Sequence, residues 1–149
     1  MSTEEPTGAR VLLADNHQDV RMGLALLLTQ NGYTVCAEAE NAGEAMLRLP
    51  VSDADIVLVD ISLGDQGGLD LLHDLRRLRI PALVYSMNEA PEMIQRVFNA
   101  GASGYVTKRE DPDMLLQGLR EVLAHRRFLN PRAAQSLASK ALSHNDTPE

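Results

Sequence analysis

The sequence predicts an α/β fold, a parallel sheet covered by helices on both faces. Three observations carry that expectation. Short apolar runs alternate five times with longer stretches of helical periodicity. The third run, "DIVLVD" at 55–60, is apolar at consecutive positions, as in a strand buried on both sides. Gly, Pro and Asn stand at the joins, where turns and helix caps belong.

The elements follow in order. "RVLLA" (10–14) reads as the first strand and stops at Asp15. "HQDVRMGLALLLTQ" (17–30) places Val20, Leu24, Leu27 and Leu28 on one helical face, and Asn31-Gly32 ends it. "YTVCAEA" (33–39) is a second strand. Asn41 and Glu44 are spaced as an N-cap and its capping partner, opening a short helix to about Leu49. After the third strand, "GDQGG" (64–68) is a loop and "LDLLHDLRRLR" (69–79) a helix, with Pro81 beyond it. "ALVYS" (82–86) is the fourth strand. "APEMIQRVFNA" (90–100) is a helix with Pro in its first turn and Gly101 behind it. "GYVT" (104–107) is the fifth strand, and Asp111-Pro112 caps and starts the helix "DMLLQGLREVLAHRR". Ala134, Leu137, Ala138 and Ala141 recur at helical spacing, so the tail (129–149) is expected to carry a short amphipathic helix. Residues 1–8 are expected to be a flexible lead-in and 9–128 one domain.

At 149 residues the chain suits one domain with its own core. Trp is absent and aromatic residues make up 3%, so Leu, Val, Ile, Ala and Met must build that core. The net charge of −7 argues against a general nucleic-acid or membrane surface. The runs "RRLR" (76–79) and "HRR" (125–127) are expected to complement helix C-terminal dipoles rather than to touch DNA. The lone Cys36 cannot form an internal disulfide and is expected to be buried and inert. "MSTEEPTGAR" does not resemble a signal peptide, and no apolar run approaches the ~20 residues that span a bilayer. A cytoplasmic location is the expectation.

Ligands of parallel sheets bind outside the carboxyl ends of the strands. There the sequence places Asp15, Asn16 and His17, then Asp60, then Ser86, then Thr107 and Lys108. Alone, Asp15 reads as a helix cap and Asp60 as a loop acid. Together they make two carboxylates, a hydroxyl and an ammonium at one edge. Adjacent carboxylates repel unless a cation lies between them, and Mg²⁺ suits oxygen donors. A carboxylate so placed can attack phosphorus, with Mg²⁺, Lys108 and the Ser86 hydroxyl as partners for the phosphoryl oxygens. His17 reads as a first-turn or packing residue rather than a ligand.

The motifs "VLLADNH", "DIVLVDISL", "GGLDLL", "ALVYSM" and "AGASGYVTK", with the helix "DPDMLLQGLREVL", occur in order. On these the chain resembles, over about 9–130, the receiver domain of bacterial two-component response regulators, most closely the NarL/FixJ type. The resemblance implies a flavodoxin-like, five-stranded sheet of order 2-1-3-4-5. It implies Asp60 as phosphoacceptor, Lys108 as the lysine pairing with the phosphoryl group, and Ser86 and Tyr105 as switch residues. It implies Mg²⁺ held by Asp15, Asn16, Asp60 and the Ser62 backbone carbonyl. The implied partners are a histidine kinase or phosphotransfer protein, a downstream protein target on the face of the fourth helix, fifth strand and fifth helix, and a second copy as homodimer. No nucleic acid or membrane is expected as a partner of this chain.

The implied activity is that of a signalling domain promoting only its own phosphotransfer and dephosphorylation, not of an enzyme acting on other substrates. Aspartyl phosphatases usually carry a second acid where Ser62 stands, and a flavodoxin would have a Ser/Thr/Gly-rich loop after its first strand. Two departures touch the site. The family's second acid is Asn16, whose amide oxygen brings no charge, so weaker Mg²⁺ binding is expected. The usual proline after the acceptor is Gly64, which loosens that loop. These departures motivate the alternative of a pseudo-receiver working without phosphorylation. The tail resembles the linker to a helix-turn-helix output domain, for which 149 residues leave no room. A stand-alone receiver and a fragment of a longer transcriptional regulator both fit.

Overall fold

Five βα units run in sequence and a sixth strand and helix follow in the computed structural model, which describes residues 8–61, 67–109 and 111–145. The strands are β1 (Arg10–Ala14), β2 (Thr34–Ala39), β3 (Ile56–Val59), β4 (Ala82–Ser86), β5 (Gly104–Thr107) and β6 (Phe128–Leu129). The helices are α1 (Gln18–Gln30), α2 (Ala42–Ser52), α3 (Gly67–Leu78), α4 (Pro91–Asn99), α5 (Pro112–Leu123) and α6 (Pro131–Asn145). All pairings are parallel, in the order β2-β1-β3-β4-β5-β6. This is the expected flavodoxin-like order with one correction: the sheet has six strands rather than five. β6 pairs Phe128 with Gly104 and Leu129 with Tyr105. Gly104 makes room for it, since a Cβ there would lie 2.8 Å from Leu83 Cδ1 and 3.1 Å from the Phe128 carbonyl oxygen.

Alternate residues of each strand feed two cores. Leu12, Ala14, Val57, Val59, Ala82, Val84 and Tyr105 pack with α2, α3 and α4, and with Ala133 of α6. Val11, Leu13, Ile56, Leu58, Leu83 and Val106 pack with α1 and α5. The consecutive apolar residues of β1 and β3 are thus explained by helices on both sides. Each fully buried Leu, Ile or Val contributes about 1.5–3 kcal/mol by leaving water. Leu24 and Leu28 of α1 are buried as the periodicity predicts; Arg21, one turn before Leu24, is buried as well but belongs to the strand-end site.

The caps fall as read. Asn41 Oδ1 accepts the Glu44 amide at 2.8 Å, and Glu44 Oε1 accepts the Glu40 amide at 2.7 Å. Asp111 Oδ1 accepts the Asp113 amide, with Pro112 opening α5. Gly101 closes α4 at φ 114°, a left-handed conformation suited to glycine. α2 runs through Pro50 to Ser52, past the expected end near Leu49, and stops at Asp53 in the left-handed region.

Cys36 is half-buried, not fully buried, because β2 is an edge strand with partly exposed positions along its length. Burial still pushes its thiol above the ordinary value, opposed in part by the Arg10 charge. The thiolate is the reactive form. Alkylation by iodoacetamide at mildly alkaline pH should therefore run severalfold slower in the folded chain than in denaturant. Equal rates would show the thiol unprotected.

α6 docks on its own domain rather than standing clear. Ala133 is fully buried, while Ala134 and Ala138 face outward, so the apolar stripe is offset from the one expected. Ser136 Oγ donates to the Glu89 carbonyl at 2.7 Å, Arg132 Nε to Glu89 Oε2 at 3.0 Å, and Lys140 Nζ lies 3.8 Å from Glu92. Between α4, β6 and α6 lies a cleft of about 640 Å³, floored by Phe98, Phe128, Leu129 and Leu137; no strand-end acid lines it.

Asn130 is the hinge of this arrangement and is fully buried. Its Oδ1 accepts the Thr107 amide at 3.2 Å, its Nδ2 donates to Thr107 Oγ1 at 3.1 Å, and its carbonyl accepts the Ala134 amide at 3.0 Å. Asn130→Ala strands the buried Thr107 amide and hydroxyl. We expect a loss of about 1–3 kcal/mol in chemical denaturation. An unchanged midpoint would show these bonds to be replaceable.

Candidate functional site

The strand register builds the site. Ala14 of β1 faces Val59 of β3, so the next residues, Asp15 and Asp60, emerge side by side. The Asp60 amide donates to the Ala14 carbonyl at 2.9 Å and the Asp15 amide to the Ala39 carbonyl at 3.0 Å, extending the ladder to the acids themselves. Strand order reverses direction here, with β2 on one side of β1 and β3 on the other, which opens a crevice at the carboxyl edge. On the far side of β4, Ser86 pairs with Thr107, and the Lys108 amide donates to the Ser86 carbonyl at 2.8 Å.

The sheet edge thus gathers Asp15, Asp60 and Lys108. Asp15 and Asp60 are 2% and 5% exposed. Lys108 Nζ donates to Asp60 Oδ2 at 3.1 Å and lies 3.6 Å from Asp15 Oδ2. Its side chain is 14% exposed and its ammonium stands 5.5 Å from the Tyr85 ring centroid. Burial raises the Tyr85 phenol above its ordinary value, with the Lys108 charge opposing. Two buried acids with a partly buried cation between them form a high-stakes arrangement: the attraction is strong only while every member stays paired.

His17 joins them, which the sequence reading did not foresee. It is the N-cap of α1 but makes no side-chain cap bond. Its amide donates to Asp15 Oδ1 at 2.8 Å, and its Nδ1 lies 3.0 Å from the same oxygen and 3.8 Å from Asp60 Oδ2. Ligand atoms of Asp15, His17 and Asp60 all lie within 4.8 Å of one another. Its position two residues past Asp15, at the mouth of the first helix, was the only signal available. Arg21 was missed as well: it is buried, donates to the Asp15 carbonyl at 2.6 Å, and is held by Glu38 at 3.0 Å. It thereby fixes the backbone that carries the first acid.

Ser86 and Tyr105 meet one residue pair away. Ser86 is buried, and its Oγ accepts the Asn88 amide at 3.1 Å. Tyr105 is fully buried and its hydroxyl donates to the Asn88 carbonyl. Both side chains therefore hold one residue of the β4–α4 loop. Burial pushes the Tyr105 phenol up, the Ser86 hydroxyl opposes this by hydrogen bonding, and the charges of Asp60 and Glu89 add to it. Asn16 is exposed beside Asp15. Ser62 and Gly64 lie outside the described residues. Among the described residues no helix is long and apolar enough to cross a membrane.

Comparison with known proteins places this fold in a family. The family profile described as response regulator receiver domain matches residues 11–120. The chain is 35% identical over 130 residues to the transcriptional regulatory protein UhpA of Salmonella typhimurium, covering 87% of this chain and 66% of that protein. It is 33% identical over 145 residues to the response regulator GacA of Pseudomonas aeruginosa, covering 93% of this chain and 67% of GacA. The chain thus spans about two thirds of the length of these relatives. Among solved structures, a LuxR-family two-component response regulator from Aurantimonas sp. SI85-9A1 superposes with a TM-score of 0.86 at 37% identity, covering 91% of this chain and 99% of that one.

Proposed function

The chain belongs to the response regulator receiver domain family, and on that premise we propose that Asp60 accepts a phosphoryl group from the phosphohistidine of a histidine kinase or phosphotransfer protein. The observation that carries this is the buried Asp60 carboxylate with the Lys108 ammonium at 3.1 Å. A carboxylate oxygen of Asp60 forms a bond to phosphorus as the phosphorus–nitrogen bond breaks. The electron pair goes to the donor imidazole, which takes up a proton. Charge spreads over the equatorial phosphoryl oxygens in the transition state. Lys108 is preorganised to bind one of them, and the Ser86 hydroxyl is the donor available to another. Resemblance to the family, rather than the bonding, favours Asp60 over Asp15 as the nucleophile, since each carboxylate already accepts a bond, Asp15 Oδ1 from the His17 amide and Asp60 Oδ2 from Lys108.

The donor set fits a divalent cation: two buried carboxylates whose oxygens lie within 4.8 Å of each other. Asp15 and Asp60 would hold Mg²⁺, with the Asn16 amide oxygen and the Ser62 carbonyl as neutral donors by family resemblance. Bound Mg²⁺ would offset the charge of both carboxylates and of the arriving phosphoryl oxygens.

The switch follows from Asn88. Recruiting the Ser86 hydroxyl to a phosphoryl oxygen releases the Asn88 amide, and the loop that Tyr105 also holds is free to reset. The population shifts by as much as phosphorylation favours the second arrangement. The readout lies on α4, β5 and α5, with α6 on part of that face, toward a downstream protein or a second copy. Asn16 favours one other reading, an interaction module that works without phosphorylation, since it removes a charged donor.

The test is intact mass after incubation with a small-molecule phosphodonor, with and without Mg²⁺. Borohydride reduction and peptide mapping then locate the adduct. One Mg²⁺-dependent phosphoryl group on Asp60 is expected. No adduct from either the small donor or a phosphorylated kinase would leave the interaction module standing.

A further inference from the structure

We propose that His17 is a direct ligand of the divalent cation, and that its imidazole makes this site prefer Mn²⁺ to Mg²⁺. The inference rests on the reading that the strand-end pocket holds such a cation.

The imidazole is not spent on the helix it opens. An N-cap side chain ordinarily accepts an amide of the first turn, but His17 makes no such bond. Its Nδ1 turns to the acids instead, 3.0 Å from Asp15 Oδ1 and 3.8 Å from Asp60 Oδ2. The turn that aims it is fixed, because the His17 amide is bonded to the same Asp15 oxygen at 2.8 Å. Neighbouring donors at about 2.1 Å from an octahedral ion stand about 3.0 Å apart. The Asp15–His17 pair already has that spacing; on ligation the Nδ1 proton now shared with Asp15 is given up and Nε2 carries the ring proton, so that Nδ1 offers its lone pair, and Asp60, 3.8 Å away, moves in to complete a three-donor face.

Composition points the same way. Asn16 brings no charge to the loop between the two donors. Among the described residues, the ionisable donors that could hold an ion are therefore two carboxylates and one imidazole. Mg²⁺ prefers oxygen and gives up its water reluctantly. Mn²⁺ accepts carboxylate oxygen and gains more from imidazole nitrogen. With an acid missing, a nitrogen donor is what remains to strengthen the site, and it does so selectively.

The experiment is titration calorimetry of the full chain with MgCl₂ and with MnCl₂, for wild type, His17→Gln and Asn16→Asp. Electron spin-echo spectroscopy of the Mn²⁺-loaded protein accompanies it. Loss of even an outer partner of a metal ligand costs about 10–100-fold in affinity, so His17→Gln should weaken Mn²⁺ by at least about tenfold. Mg²⁺ should change much less. Nitrogen modulation from the imidazole should be present in wild type and absent in His17→Gln. Asn16→Asp should tighten both ions and leave the modulation in place. His17 is half-exposed at its side chain, so thermal melting should show His17→Gln folded.

An unchanged Mn²⁺ to Mg²⁺ ratio in His17→Gln, or a wild type without nitrogen modulation, would overturn the assignment and leave His17 as a partner of Asp15. A wild type that binds neither ion overturns it too. The proposed function fails separately: nitrogen modulation with no phosphorylation of Asp60 in either ion sinks the phosphoacceptor reading and keeps the ligand. Phosphorylation without modulation does the reverse.

Discussion

Asp60→Asn is expected to leave a folded chain that takes no phosphoryl group. The amide matches the carboxylate in shape at a position only 5% exposed, so packing is undisturbed. Its chemistry differs completely. The amide oxygen is neutral, and the nitrogen lone pair is delocalised into the carbonyl. Neither attacks phosphorus as a carboxylate does. Asp15 stays beside it, with Lys108 Nζ 3.6 Å away, but its Oδ1 is already engaged by the His17 amide. Intact mass should therefore show no adduct at donor and Mg²⁺ concentrations that fill the wild type, while the thermal melt stays cooperative. An adduct that persists in Asp60→Asn would move the acceptor to Asp15.

Lys108→Met is expected to keep Asp60 as a nucleophile but slow its phosphorylation about 10²–10³-fold, the usual effect of losing one preorganised donor at a developing charge. Met keeps an apolar stem of similar length and removes the ammonium, which stands 5.5 Å from the Tyr85 ring. The same change takes away the cation 3.1 Å from Asp60 and 3.6 Å from Asp15. Two buried carboxylates then lose their ammonium contact, and the fold should lose about 1–3 kcal/mol. Divalent cation should restore part of that loss, because an ion binding only the folded state stabilises it by mass action. Rates of adduct formation and denaturation midpoints with and without Mg²⁺ check both parts. A rate within twofold of wild type would show that Lys108 holds the acids together without serving the transfer.

The sequence made the central architecture legible because its signals were local. Consecutive apolar residues in "DIVLVD" reported a strand covered on both sides, and alternate residues of β3 do enter separate cores. Asn41, Asp111 and Pro91 reported helix starts through capping chemistry that depends on three or four neighbouring residues. Asp15, Asp60 and Lys108 were legible as a group because each directly follows a strand, and parallel register then brings strand ends together. What was missed depended on long-range contacts. β6 is two residues long and shows no alternation; the space beside Gly104 selects it. Asn130 looked like an ordinary residue before a proline, and its buried bonds reach 23 positions back to Thr107. Arg21 interrupted an apolar face for a reason held on another strand, the Glu38 carboxylate. His17 was weighed against the commoner role of a helix-start residue, and only the turn at Asp15 reveals where its ring points.

The docking of α6 on α4 turns the chain into a carrier of its own competitor. A partner that approached α4 would meet a helix of the same chain already seated there, whose local concentration does not fall on dilution. Its measured affinity is reduced by the fraction of time that helix is seated. Two of the bonds that seat α6, from Arg132 and Ser136, end on Glu89, one residue beyond the Asn88 that Ser86 and Tyr105 hold. On the proposed function, event and readout would thus be joined by two consecutive residues, and a partner's apparent affinity would gauge the loop's state without any contact at the acids.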